Sequence, residues 1–173
     1  MTLPPLRRTL LVLTVVFLVD LFGMGQGLLS LLIAFAGATV LGVGGAWAAV
    51  KRMRPWVRSR LIRAGMYLLL GVATVAAMRF HRTTATSHAE QLIAACRAYK
   101  VQHGEFPDRL EALVPTYLPA VPRAKYTLGW GNFTYWNLSS DRDEPHHVLM
   151  YVALPPFGRR LYHLEEERWS MLD

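Results

Sequence analysis

From Thr9 to Val50 the chain runs for 42 residues with a single charge, Asp20. One helix of that length would measure about 63 Å at 1.5 Å per residue, twice the ~30 Å hydrocarbon core of a bilayer. The pattern therefore predicts two apolar spans, about residues 9–23 and 28–50, joined by a turn at "GMGQG", Gly23 to Gly27. A cleaved signal peptide fits poorly, because the run is too long and no polar sequence follows a cleavage site. Next, "KRMRPWVRSRLIR" (51–63) places six positive charges in thirteen residues. A third apolar run, Ala64 to Met78, lies between Arg63 and Arg79 and is extended by Leu61, Ile62 and Phe80. At fifteen residues it is short for a crossing. Arginines that snorkel to the headgroups allow it to span.

Beyond residue 80 the pattern changes. "HAEQLIAACRAYKVQHG" sets Leu92, Ala95, Cys96 and Tyr99 on one face of a helix, and Gly104 stops it. Residues 62–103 read as one helix, with "RTTATSH" as the expected point of interruption because Thr and Ser favour caps over interiors. "FPDRLEALVPTYL" predicts a short helix through Val114, and Pro115, Pro119 and Pro122 then enforce an extended loop. Strand-like stretches follow: "KYTLGW" and "NFTYWNL" around a turn at Gly129–Asn132, "HVLMYVAL", "RRLYHL" after "PPFG", and "RWSML" after the acidic turn. The expected fold is an α+β membrane protein. Three transmembrane helices are predicted, the third continuing into a long helix packed on a small antiparallel sheet. The expected divisions are 1–63 (hairpin and basic loop), 64–103 (third helix and its amphipathic extension) and 104–173 (head).

Charge sharpens this picture. Residues 1–78 carry eight basic groups and one acid, while residues 79–173 carry eleven of each sign. The whole excess of +7 thus lies beside the apolar segments. The head has no basic face, which argues against nucleic acid as a partner, and an RNA-binding patch would need loop 51–63 to act alone. Basic loops stay cytoplasmic. Arg7, Arg8 and that loop therefore predict a multi-pass protein of the bacterial inner membrane, with its N-terminus inside and its C-terminal domain in the periplasm. Its partners would be membrane lipid and a membrane or periplasmic protein. A lone cysteine, Cys96, excludes both an intramolecular disulfide and a cysteine metal site.

Candidate interaction residues come from two patterns. Ser30, Ala34, Ala38, Gly42 and Ala46 recur every fourth residue, a ladder that permits close packing against span one or against a partner membrane protein. Asp20 is an intramembrane acid three residues before the glycine turn, read either as an interfacial or packing group or as a functional one. In the head, Trp130, Tyr135 and Trp136, with Phe133 and Phe157, form either sheet core or an exposed aromatic contact. "SSDRDEPHH" raises a metal question: Asp141, Asp143 and Glu144 offer oxygen ligands for calcium, or simply a solvated hairpin loop. His146 and His147 would suit zinc, but neighbours on a strand point apart. "NFT" and "NLS" are formal glycosylation sequons at Asn132 and Asn137. No nucleophile elbow, zinc-protease helix, P-loop or dinucleotide fingerprint is present, and no small-molecule substrate is indicated. The expectation is a non-enzymatic protein without a cofactor, calcium aside.

The stretch "AEQLIAACRAYKVQHGEFPDRLEALVPTYLPAVP" resembles the type IV pilin-like family, and especially the pseudopilins of type II secretion, over about residues 65–173. The shared order is membrane helix, amphipathic helix, a Gly-aromatic-Pro turn, a short helix, a proline-rich loop and a small sheet. The resemblance implies a pilin-like head in or near a secretion or pilus-like envelope machine, and it also implies the calcium reading of the 139–147 loop. The chain departs from the family in three places. A Gly65–Met66 junction would put Leu70 where a prepilin carries its glutamate, no prepilin peptidase site is evident, and two extra spans precede the helix. An alternative function of the same architecture is an immunity protein that neutralises a toxin at the membrane.

Overall fold

The computed structural model describes residues 4–25, 27–51, 54–138, 146–154 and 158–172. The chain divides into two compact units, Met1–Arg79 and Phe80–Asp173. The first holds α1 (Pro4–Leu18), a π-helical segment (Val19–Met24), α2 (Leu28–Val50) and the start of α3 (Arg54–His103). The second holds the rest of α3, a 3₁₀ turn (Leu110–Leu113) and four strands: β1 (Thr134–Asn137), β2 (His147–Val152), β3 (Arg159–His163) and β4 (Arg168–Leu172).

In the first unit, Leu13 of α1, Ala34 of α2 and Leu70 of α3 form a buried core, with Phe17, Ile33, Met66 and Tyr67 packed on it. α2 and α3 run antiparallel. A side chain at Gly27 would meet Thr74 and Met78, one at Gly37 would meet the Tyr67 ring, and one at Gly44 would meet Arg60. The small residues thus make room for large α3 side chains. The outward faces are apolar: Phe35 is 76% exposed, and Val40 and Leu69 are each 70% exposed. Such contiguous apolar surface calls for an apolar solvent or partner.

Among the described residues two helices are long and apolar enough to cross a membrane, Leu28–Val50 and Val57–His103, where the sequence pattern predicted three. The difference lies in α1. It has 15 residues, about 22 Å at 1.5 Å per residue and short of a ~30 Å core. Its regular winding ends at Val19. From there the chain takes π geometry, and the Gly25 N–H reaches back five residues to the Asp20 carbonyl at 2.8 Å. Gly25 and Gly27 then turn the chain at φ of 68° and 72°, the left-handed region that glycine alone enters without strain.

α3 is one unbroken helix of 50 residues, so "RTTATSH" does not interrupt it. The Thr83 hydroxyl donates to the Phe80 carbonyl at 2.9 Å and that of Thr86 to Arg82 at 3.0 Å. These threonines satisfy their hydroxyls within the helix instead of capping a break. α3 also begins at Arg54, so most of the basic stretch read as a loop is helical. Within the second unit, Ala85, Ala89, Leu92, Cys96 and Tyr99 form the face of α3 packed into the head's core. Gly104, at φ 85°, ends the helix with its N–H on the Lys100 carbonyl at 2.8 Å.

The sheet is an antiparallel meander in the order β1-β2-β3-β4. Its register aligns Tyr135, Leu149, Tyr162 and Trp169 in one row across all four strands. Leu149 and Tyr162 belong to the core that also contains Leu92 and Leu113, and Tyr135 and Trp169 pack against it. The alternate row, Trp136, Val148, His163 and Arg168, lies on the opposite face.

"KYTLGW", expected as a strand, is a loop in the structure. The Lys125 N–H donates to the Gly131 carbonyl at 3.1 Å, and the Arg123 guanidinium donates to the Thr127 carbonyl at 3.1 Å. These bonds close the segment on itself and leave no ladder for a strand. A Cβ at Gly131 would stand 2.7 Å from the backbone oxygens of both Lys125 and Thr127. Gly131→Ala is therefore expected to cost the head about 1–3 kcal/mol, as overpacking against backbone does. Denaturant unfolding of the solubilised chain checks this.

Candidate metal centre

His146, just before β2, and His147, its first residue, point to opposite faces, as neighbours in extended chain do. His147 faces inward. Its Nδ1 lies 2.6 Å from Glu165 Oε1, and its backbone N–H donates to the same carboxylate. Its ring sits 5.6 Å from that of Phe106 and 6.0 Å from that of Tyr135, centroid to centroid. This pair is a buried structural contact that ties the β3–β4 turn to the start of β2.

His146 faces the other way. Its Nε2 lies 3.4 Å from Nδ1 of His163, the last residue of β3, with the rings 5.3 Å apart. His163 Nε2 in turn lies 2.8 Å from Ser170 Oγ on β4. Glu166 in the β3–β4 turn completes the group, and the three candidate ligand atoms all lie within 4.8 Å of one another. His146 is buried, His163 half-buried and Glu166 exposed. In this arrangement Glu166 Oε2 accepts from Arg168 Nε. That hydrogen bond, with the Arg168 charge, lowers the Glu166 carboxyl below its ordinary range. Burial lowers the His163 imidazole below its usual value. Arg168 and His146 push the same way, and Glu166 and Glu165 oppose them.

The sequence reading passed over His163, which has no carboxylate at motif spacing. The signal that would have found it is the strand register: Val148 opposes His163, so His146 lies two residues along the same face. The calcium candidates Asp141, Asp143 and Glu144 lie outside the described residues. The β1–β2 connection that carries them is closed by the Leu138 N–H on the His146 carbonyl at 2.8 Å.

The remaining candidates scatter. Trp130 and Trp136 are exposed, whereas Tyr135 packs on the core and donates its hydroxyl to the Pro107 carbonyl at 2.7 Å. Burial, with the nearby Cys96, Glu165 and Asp108, raises the Tyr135 phenol well above its ordinary value. The Cys96 thiol is pushed up to about 12 by burial, which leaves it protonated and inert.

In the first unit, Ser30 and Ala34 of the ladder are buried, Ala38 and Gly42 line an open groove between α2 and α3, and Ala46 is exposed. A side chain at Gly71 of α3 would meet Ala34, so the ladder's partner includes α3 as well as the first helix. Asp20 is fully buried, and its Oδ2 accepts the Ser30 backbone N–H at 2.6 Å. Gly27, at the head of α2, contributes no side-chain cap. Asp20 thus supplies from the preceding segment an acceptor that a helix N-terminus needs.

No family model, no curated protein and no solved structure matches the chain.

Proposed function

We propose that the chain is a non-enzymatic protein of the bacterial inner membrane that displays a pilin-like α+β head on the periplasmic side, as an interaction or assembly component of a secretion or pilus-like machine. The observation that carries this reading is α3. Its first half presents Leu68, Leu69 and Val72 as exposed apolar surface, and its second half is the central helix of the head. Such a helix couples a lipid-facing segment directly to a folded domain. The succession of helix, Gly104, 3₁₀ turn, proline-spaced loop and four-stranded meander supports the pilin-like likeness. Trp130 and Trp136, exposed at the head, are the residues offered for its contact.

The side on which the head emerges follows from charge. With the basic residues 51–63 held in the cytoplasm, α3 leads outward whichever way the first helix lies. A crossing by the first helix as well would place the N-terminus inside. The test is a pair of reporters fused after Asp173. Alkaline phosphatase is expected to be active there and green fluorescent protein dark; the reverse pattern overturns the topology and the function built on it. Crosslinking from native membranes then reads the partner. Recovery of envelope-machine subunits supports assembly, and recovery of a toxin instead replaces this reading with immunity.

A further inference from the structure

The geometry points to a zinc site on the outer face of the sheet, with His146 Nε2, His163 Nδ1 and the Glu166 carboxylate as ligands and an open fourth position. Two ligands on a tetrahedral zinc at 2.0–2.1 Å stand about 3.3–3.4 Å apart. The two imidazole nitrogens are separated by 3.4 Å, which is also long for a hydrogen bond between nitrogens. In the tautomer whose Nε2–H donates to Ser170 Oγ, His163 turns the lone pair of Nδ1 toward His146. An outer partner on the far ring nitrogen is how proteins fix a metal-binding imidazole. Ser170 on β4 holds that place here.

The third ligand needs only a local move. Glu166 is exposed, sits in a turn, and is held by a single arginine on the solvent side. Its carboxylate must close from within 4.8 Å to ligand spacing and release Arg168. The donor set selects the metal. Two imidazoles and one carboxylate suit zinc and its neighbours, whereas calcium wants six or more oxygens. The inward pair His147–Glu165 is saturated by its own contacts, so the site does not draw on it. A bound ion would join the start of β2, the end of β3 and the β3–β4 turn. It would leave one coordination position for water on the face away from α3. Metal binding at this site depends neither on membrane topology nor on the identity of a partner.

The test uses tag-free full-length protein in detergent, stripped with a chelator and titrated with zinc chloride against a chromogenic competitor. One equivalent per chain is expected to be withheld from the competitor. Cobalt(II) in its place should give the visible bands of a tetrahedral site. H146A and H163A are expected to lose that equivalent and those bands. S170A should weaken binding about 10–100-fold, the usual effect of removing an outer partner. E166Q should weaken it at least about tenfold; its exposed side chain leaves the core untouched, so this variant keeps the assignment testable should either histidine variant unfold. A triple change of Asp141, Asp143 and Glu144 to their amides should leave affinity as in wild type. Absence of a stoichiometric equivalent, its survival in H146A or H163A, or wild-type affinity in E166Q overturns the site.

Discussion

Leu92→Ala is expected to destabilise the head by about 2–5 kcal/mol, the range for a fully buried leucine whose removal leaves a cavity. Leu92 has no exposed surface, and it sits on the α3 face packed with Leu113 and Leu149 in one core cluster. Two features keep the site from collapsing around the gap. Ala89 and Ala85, one and two turns away on the same stripe, already bring the packed neighbours close to the helix backbone. The sheet beneath is held by ladders on both sides of β2, so it cannot sink locally. Denaturant unfolding of the detergent-solubilised chain, followed through the head's tryptophans, measures the loss. Val101→Ala is the control: the residue is in the same helix but 86% exposed. Alanine also has the better helix propensity, so that change should stay within about 0.5 kcal/mol of wild type. Comparable losses at the two positions would mean that the stripe read from the sequence is not the buried one.

That stripe was legible because a long amphipathic helix repeats its signal many times. β2 was legible for a different reason. "HVLMYV" is an unbroken apolar run, and all six residues of the strand are buried. "KYTLGW" carried the same aromatic and β-branched composition and misled, because composition reports fitness for a pleated surface and not the presence of a neighbouring strand. The Lys125–Gly131 closure is a property of backbone hydrogen bonds that no residue type announces.

The membrane half divides the same way. A four-residue spacing of small side chains says that something approaches that face. It does not say what, and the structure seats Gly71 of α3 against Ala34 of the ladder. Asp20 was visible as an anomaly, but its role as acceptor for the α2 N-terminus depends on a π-helical turn that hydropathy does not encode. The histidine–glutamate group was the least legible. Its imidazoles are seventeen residues apart, one just before β2 and one at the end of β3, and they meet only through a register that the flanking turns set.

Raising the pH from 8 to about 10.5 is expected to stabilise the head through Lys125. The residue is 4% exposed, and its Nζ donates to the Ala153 carbonyl at 2.5 Å. Burial pulls its pKa down to about 8 from an ordinary 10.5. Below pH 8 both folded and unfolded chains carry the charge, and the folded state bears the full cost of burying it. Between about 8 and 10.5 the folded chain has lost this proton while the unfolded chain keeps it. The unfolded state then binds more protons, so stability rises with pH across that window. At 1.36 kcal/mol per unit the shift corresponds to about 3 kcal/mol in all. His81 faces the same charge: burial first, and then Lys125, lower its imidazole pKa. Lys125→Met removes the cost, at the loss of a hydrogen bond worth about 1 kcal/mol. It should therefore stabilise the chain near pH 7 by about 2 kcal/mol, and that advantage should shrink or reverse by pH 10.5. Unfolding midpoints of the two chains, measured side by side at each pH, cancel the tyrosine titrations common to both. A difference that stays constant from pH 7 to 10.5 would show that the ammonium is not buried as a charge.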